Sequence, residues 1–162
     1  MLFLLFQLDA DRYALPARDV TEVLPLVAMK HLPGAPPGVV GLVNYRGQAV
    51  PAVDLALLAL GRRSAQRVST RMLILNYPHP DGRERLLGVI VERATEMIAK
   101  DPADFRPIGI TTSAARYLGP VAHDPRGMLQ RIDVAALLTA ELQAALFPKD
   151  AATGPAPVAV SP

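Results

Sequence analysis

Cysteine and tryptophan are absent from the 162-residue sequence, and aromatic residues make up only 5% of it. The lack of cysteine excludes a disulfide framework, a thiolate zinc site and cysteine-based catalysis. A charge excess of one sign is also missing, since 17 Lys and Arg residues face 15 Asp and Glu residues and leave a net charge of +2. A nucleic-acid binder that neutralises phosphates normally carries a larger positive excess, so the composition argues against that class.

Long hydrophobic runs are missing too, although hydrophobic residues make up 51% of the chain, too many for a wholly disordered protein. The apolar opening at residues 1–6 is followed at once by Gln7, Asp9 and Asp11. It lacks the positive start of an export signal and is far shorter than the roughly 18 residues that a membrane span needs. We therefore expect a buried first strand and a cytoplasmic protein.

Short apolar runs separated by turn residues predict a mainly β fold. The predicted strands are residues 2–8, 12–17, 20–27, the two arms of 44–53, 71–77, 86–91, 94–98, 117–123 and 128–132. The polar stretch 62–70 interrupts this pattern and is predicted to link two halves of one domain that spans residues 1–147.

Two helices are predicted among the strands. A short one at residues 55–60 is capped by Asp54 and ended by Gly61. A longer one runs from Asp133 to residue 147 and ends before Pro148, with its leucines on one face. We expect that face to dock on a barrel, and we expect the Ala- and Pro-rich tail 148–162 to be disordered.

The two halves of the chain resemble each other. Thr21-Glu22 on the third predicted strand corresponds to Thr95-Glu96, an offset of 74 residues, and Arg46-Gly47 corresponds to Arg126-Gly127, an offset of 80. Chance similarity among short apolar strands is one explanation, because such patterns are degenerate. The explanation that we prefer is a duplication, which implies two small β-barrels side by side.

Sequence patterns typical of enzymes and metal sites are scarce. His31, His79 and His123 are far apart along the chain, with no H-x-H or H-x-x-x-H pair, so we interpret them as solvated turn residues. No G-x-S-x-G or G-x-x-x-x-G-K-[ST] motif is present. Asp101 and Asp104 are close in sequence, but turn capping accounts for them. We expect no catalysis, no cofactor and no metal.

An apolar run at residues 39–43 follows a proline-rich loop, and Arg46 follows it at a turn. Apolar residues beside one arginine are typical of a recognition surface, because arginine and aromatic residues are enriched at interface hot spots. The alternative is that residues 39–43 belong to the core and that Arg46 is an ordinary exposed turn residue.

Three motifs carry a resemblance to a known family. The central one reads G-L-V-N-Y-R-G from Gly41, followed by V-P-A-V-D-L from Val50. The amino-terminal one comprises F-Q-L, Y-A-L and V-T-E-V, and the later one runs from Leu87-Gly88 through Val91-Glu92 to Glu96-Met97. Over residues 2–147 the chain resembles the CheW-type coupling proteins of bacterial chemosensory pathways, with Tyr45 where leucine is usual.

This resemblance implies a mainly β fold of two five-stranded SH3-like barrels with intertwined halves, exchanging near 62–70, and a carboxy-terminal helix. It implies a non-enzymatic adaptor between the cytoplasmic tips of chemoreceptors and the regulatory domain of a CheA-type histidine kinase, recruited to the membrane only through receptors. The partner-binding residues that the motifs carry over are Val20, Glu22, Val39, Leu42, Asn44, Arg46 and Met97.

Two other functions stay open at this point. A nucleic-acid-binding double barrel would need aromatic and positive residues interleaved on one face, which the low aromatic content does not favour. A regulatory domain detached from a kinase or receiver fusion would keep the family and change the role. Since the chain ends soon after the last predicted helix, the free adaptor is the expectation that we carry forward.

Overall fold

The computed structural model describes residues 1–110, 112 and 115–148. These residues form ten strands and two α-helices. The strands are β1 (Leu2–Leu8), β2 (Asp11–Pro16), β3 (Val20–Pro25), β4 (Val39–Tyr45), β5 (Gln48–Asp54), β6 (Arg71–Pro78), β7 (Glu84–Val91), β8 (Glu96–Ala99), β9 (Leu118–Asp124) and β10 (Gly127–Ile132). The helices are α1 (Leu55–Leu60) and α2 (Ala140–Leu146).

The strands form two five-stranded sheets. The first has the order β8-β1-β2-β10-β9, and the second has the order β3-β6-β7-β5-β4. In each sheet, an isolated antiparallel bridge joins one outer strand to the chain that follows the other outer strand. The bridge pairs Lys30 with Leu42 in the second sheet and Arg106 with Val121 in the first. The predicted fold class, mainly β with two SH3-like five-stranded units, is confirmed, and each sheet forms an open barrel.

Each sheet takes strands from both halves of the sequence. The hairpin β1–β2 joins the sheet otherwise made of β8, β9 and β10, and the hairpin β6–β7 joins the sheet made of β3, β4 and β5. A shift of five strands converts one sheet order into the other. This correspondence agrees with the repeat seen in the sequence, while the exact division at 62–70 stays a prediction.

The main hydrophobic core lies between the sheets. Strands β1 and β6 are buried on both faces, because alternate residues of a strand point to opposite sides. Leu4 and Phe6 face the main core, whereas Phe3 and Leu5 face a smaller core of the first sheet. Strand β6 divides its side chains between the main core and a small core of the second sheet in the same way.

Helix α1 begins and ends as the sequence predicts. The Asp54 carboxylate accepts a hydrogen bond from the Ala56 amide at 3.0 Å, and Gly61 adopts the left-handed conformation that ends the helix, with a φ of 74°. Asp54 also accepts hydrogen bonds from the amide and the hydroxyl of Ser64, at 2.8 and 2.6 Å. These bonds fix the first residues of the linker to the helix.

The carboxy-terminal helix is shorter than predicted. Asp133 caps a single 3-10 turn at Val134–Ala136, and α2 starts only after Thr139, whose hydroxyl accepts a hydrogen bond from the Leu142 amide at 3.1 Å.

Strand β4 begins at Val39, five residues before the start of the strand predicted at residue 44, so it includes the apolar run 39–43. Apart from Pro148, the tail expected to be disordered lies outside the described residues.

The interpretation of the histidines as solvated is wrong for His79. Its side chain is only 12% exposed, with Nδ1 lying 3.1 Å from Asp81 Oδ1. Its ring packs edge-on against Phe147, with ring centroids 5.8 Å apart. His31 and His123 are exposed.

Candidate partner-binding site

A cluster of three polar side chains lies at one end of the second sheet. The Tyr45 hydroxyl donates a hydrogen bond to Oε1 of Glu22 at 2.6 Å, and Nη2 of Arg46 donates to the same oxygen at 3.1 Å. Glu22 comes from β3 and Arg46 from the turn after β4, the two outer strands of this sheet. The cluster therefore links opposite edges of the open barrel.

The turn that presents Arg46 has a local cause in the sequence. Arg46 and Gly47 both have positive φ, 51° and 83°, as in the two-residue turns that match the twist of a hairpin. Glycine adopts this conformation without steric cost, and the Asn44 side chain accepts a hydrogen bond from the Gly47 amide at 2.9 Å. The N-Y-R-G motif thus encodes the turn as well as the side chain that it carries.

The Arg46 guanidinium contacts Glu22 and the Tyr45 ring, and most of the side chain is exposed to solvent. Its side chain is 77% exposed, and its guanidinium carbon lies 5.3 Å from the centroid of the Tyr45 ring. The hydrogen bond to Glu22 is the largest cause that raises the pKa of the Tyr45 phenol. Because Glu22 engages only Nη2, the other guanidinium donors face outward and can bind a carboxylate or a carbonyl in a fixed geometry.

The structure brings some of the predicted site residues together and separates others. Glu22, Asn44 and Arg46 share the cluster and its turn. Val39 and Leu42 are half-buried on β4, where Val39 packs against the main core. Val43 belongs to the small core of the second sheet, as the core alternative expects, while Leu42 keeps some exposure. A role of this run in recognition stays a prediction.

Val20 and Met97 lie outside this cluster. Val20 starts β3, is half-buried and packs against the main core. Met97 is 50% exposed and lies on β8, an outer strand of the first sheet, opposite Leu4 of β1. Its place in a common binding surface with Arg46 stays a prediction.

The sequence pattern does not predict the role of Tyr45, which stands where leucine is usual. The ring of Tyr45 is buried, and its hydroxyl donates a hydrogen bond to the Glu22 carboxylate. The available signal was the phenol itself, since a tyrosine hydroxyl at a partly buried position usually finds a hydrogen-bond partner. Glu22 in the same motif set was the nearest candidate.

A second glutamate–arginine pair occupies the corresponding place in the first sheet. Nη2 of Arg126 donates to Oε1 of Glu96 at 2.7 Å, which links β8 to the turn before β10. These are the two residues that the sequence repeat aligns with Glu22 and Arg46. The repeat therefore extends from the backbone to an ion pair that joins the edges of each barrel.

Comparisons with known proteins agree with this architecture. The family model of the CheW-like domain matches residues 2–142, and the chain belongs to this family. This confirms the resemblance seen in the motifs.

Three chemotaxis proteins named CheW show the degree of similarity. The protein of Helicobacter pylori is 26% identical over 111 residues, covering 68% of this chain and 64% of its own length. That of Klebsiella aerogenes is 24% identical over 141 residues, covering 86% and 82%. That of Treponema pallidum is 27% identical over 145 residues, covering 85% and 82%.

A solved structure shows the same fold. The scaffolding protein TtCheW of Thermoanaerobacter tengcongensis superposes with a TM-score of 0.73 at 24% identity, covering 87% of this chain and 89% of that one. Among the residues that the structure describes, no helix is long and apolar enough to cross a membrane. Within the same residues, no three His, Cys, Asp or Glu side chains are grouped so that they could hold a metal ion.

Proposed function

We propose that the protein is a non-enzymatic, cytoplasmic adaptor that couples chemoreceptors to a CheA-type histidine kinase. Membership of the CheW-like family supports a scaffolding role in chemotaxis. The observation that carries the proposal for this chain is the Glu22–Tyr45–Arg46 cluster, a pre-oriented guanidinium at the edge of an open sheet. In this proposal the partners are the kinase regulatory domain and the cytoplasmic receptor tip.

The cluster suits recognition because its geometry is set before a partner arrives. Glu22 and the Tyr45 ring restrict Arg46 on two sides, so less side-chain entropy is lost on binding. Leu42, which is half-buried on the same strand as Tyr45, supplies apolar surface. In the proposed interface the outward donors of Arg46 bind a partner carboxylate or backbone carbonyl, while Leu42 adds an apolar contact.

Calorimetric titration of the full chain with each partner tests this proposal. Arg46→Ala is expected to weaken binding by about 2 kcal/mol or more, the size of an interface hot spot, and Arg46→Lys is expected to restore little because lysine lacks the fork. The matched control is Arg63→Ala, which removes an exposed arginine from the linker. It should bind as the unsubstituted chain does.

A melting curve separates recognition from folding. Arg46→Ala should change the free energy of unfolding by no more than about 0.5 kcal/mol, because exposed ion pairs contribute little. Unchanged affinity for both partners would remove Arg46 from the interface. Weaker binding together with a collapsed melting temperature would make Arg46 a structural residue.

A further inference from the structure

The linker between the two halves lines a pocket that the adaptor function does not use. The pocket has a volume of about 170 Å³ and lies where the linker meets the turn after β1 and the end of β7. Its polar lining includes Asp9, Arg62, Arg67, Ser69, Glu92 and Arg93. Three of these six side chains are cations and two are anions.

Arg62 contacts both anions of the pocket. Its Nη1 and Nη2 each lie 3.0 Å from one oxygen of Glu92, and Nη2 also lies 2.8 Å from Asp9 Oδ1. Glu92 is only 8% exposed, and the hydrogen bond from Arg62 is the largest cause that lowers the pKa of its carboxyl group. Glu92 is therefore ionised and engaged at neutral pH.

The other two cations form no direct ion pair, although Arg67 lies near enough to Glu92 to help lower the pKa of its carboxyl group. Among the residues that the structure describes, no side-chain hydrogen bond or ion pair engages Arg67 or Arg93, and the Ser69 hydroxyl is likewise unengaged. The surrounding sequence deepens this imbalance, since residues 55–80 contain four arginines and no Asp or Glu. With three arginines against two carboxylates, the pocket lining keeps a net charge of +1.

The backbone at Arg93 is also unusual. Its φ is 52°, a left-handed conformation that disfavours long side chains and that Asn or Gly would adopt more easily. Non-glycine residues held in this region are associated with functional sites. The next residue, Ala94, donates its amide hydrogen to the Ser69 carbonyl at 3.0 Å, so the turn and the linker are held together around the pocket.

We propose that this pocket binds a phosphate group. Arg67 and Arg93 provide planar guanidinium donors that match phosphate oxygens, and the Ser69 hydroxyl provides a further donor. The net positive charge favours an anion, and a tetrahedral phosphate can accept hydrogen bonds from both guanidinium groups and the hydroxyl at once, whereas a carboxylate offers only two oxygens. The pocket is large enough for a phosphate group but not for a whole nucleotide, so any attached group extends into solvent.

Titration of the ¹⁵N-labelled full chain with inorganic phosphate, followed by amide and arginine side-chain chemical shifts, tests this proposal. Sodium chloride at equal ionic strength controls for screening. We expect saturable shifts at Arg67, Ser69, Thr70 and Arg93. Phosphate should also raise the melting temperature above that in chloride, because a ligand that binds only the folded state stabilises it.

Two substitutions are expected to weaken phosphate binding by about tenfold each, since each removes charge-assisted hydrogen bonds. They are Arg67→Gln and Arg93→Asn, of which the second keeps a residue that tolerates positive φ. Arg63→Gln is the matched control, because it removes the same charge from the same linker but not from the pocket lining.

A parallel titration with adenosine monophosphate identifies the source of the phosphate group. If adenosine monophosphate binds more tightly than inorganic phosphate, the ligand is a nucleotide; if the two bind equally, it is free phosphate.

Three results would overturn the phosphate site. One is the absence of saturable shifts in the unsubstituted chain, and another is the same shifts in chloride alone. The third is equal weakening by Arg63→Gln, which would show that the phosphate responds only to overall charge.

Discussion

Arg12 and Asp124 form a two-pronged ion pair that links β2 to the end of β9. Both guanidinium ends donate to the carboxylate, at 2.8 and 2.7 Å, and the side chains are only 10% and 18% exposed. Oδ1 of Asp124 also accepts the Arg126 amide at 2.8 Å, within the turn that carries the second glutamate–arginine pair. Pairing of this kind is stronger than an exposed salt bridge because both its geometry and its shielding from water are favourable.

The Arg12 hydrogen bond is the largest cause that lowers the pKa of Asp124, to about 2 from its usual 3.8. A carboxyl group with a depressed pKa in the folded state stabilises the protein above its unfolded pKa. This contribution, of about 2 kcal/mol, is therefore lost as the pH falls from near 4 to near 2. Asp124→Asn should be less stable at neutral pH, and the difference from the unsubstituted protein should vanish at low pH.

Urea unfolding at a series of pH values measures this difference. Other carboxyl groups with lowered pKa, such as Glu92, cancel because both proteins contain them. A difference between the two proteins that stays constant from pH 7 to pH 2 would contradict the assignment of the stabilisation to the ionised Asp124.

The residues of the candidate site differ in how far the sequence predicts them. The N-Y-R-G motif predicts the turn and Arg46 because both depend on neighbouring residues, whereas the position of Glu22, 3.1 Å from Arg46, depends on the fold. The hydrogen bond of Tyr45 to Glu22 joins residues 23 positions apart on strands that are not neighbours in the sheet. Only the curvature of the open barrel brings them together, and the sequence pattern does not reveal that curvature.

At the scale of single elements, the carboxy-terminal segment shows where helical periodicity misleads. Val134, Leu137, Leu138 and Leu142 are all buried, as the predicted helix face requires. They lie, however, on a 3-10 turn, a bend and a new α-helix capped by Thr139. Packing of these side chains in the main core, rather than local helix propensity, determines the shape of the segment.

Leu138→Ala is expected to lower the free energy of unfolding by about 2–5 kcal/mol. Leu138 is 4% exposed and belongs to the main core, so its truncation leaves a cavity between the sheets. Leu60→Ala is the matched control, because Leu60 is 44% exposed at the end of α1 and its truncation should cost much less. Equal losses of stability for the two variants in urea unfolding would contradict the packing of this segment.

At the scale of the whole molecule, the sequence repeat predicts two similar units but not how they are assembled. Similar motifs in the two halves fit two separate barrels and fit exchanged hairpins equally well. The exchange depends on pairings such as the parallel contact of β2 with β10, between residues more than 100 positions apart. The double burial of β1 and β6 favours the exchange, since each strand then lies between the main core and a smaller one.

The exchanged hairpins predict that neither half folds alone. A fragment of residues 1–66 keeps β1 and β2 but loses the other three strands of their sheet, and it separates β3 from β5 by removing β6 and β7. A fragment of residues 67–162 loses the corresponding strands in the same way. Each fragment then leaves the apolar side chains of the main core exposed. Folding of a fragment would bury too little apolar surface to offset the conformational entropy that it loses.

Far-ultraviolet circular dichroism of the two fragments, separately and mixed, checks this prediction. Each fragment alone should show no cooperative unfolding transition, whereas the mixture and the full chain should each show one. Cleavage of the folded chain within residues 65–68 provides a control, because it leaves every strand pairing intact and should preserve the transition. A cooperative transition in either isolated fragment would show that the halves are independent barrels, and the exchange would then be unnecessary for folding.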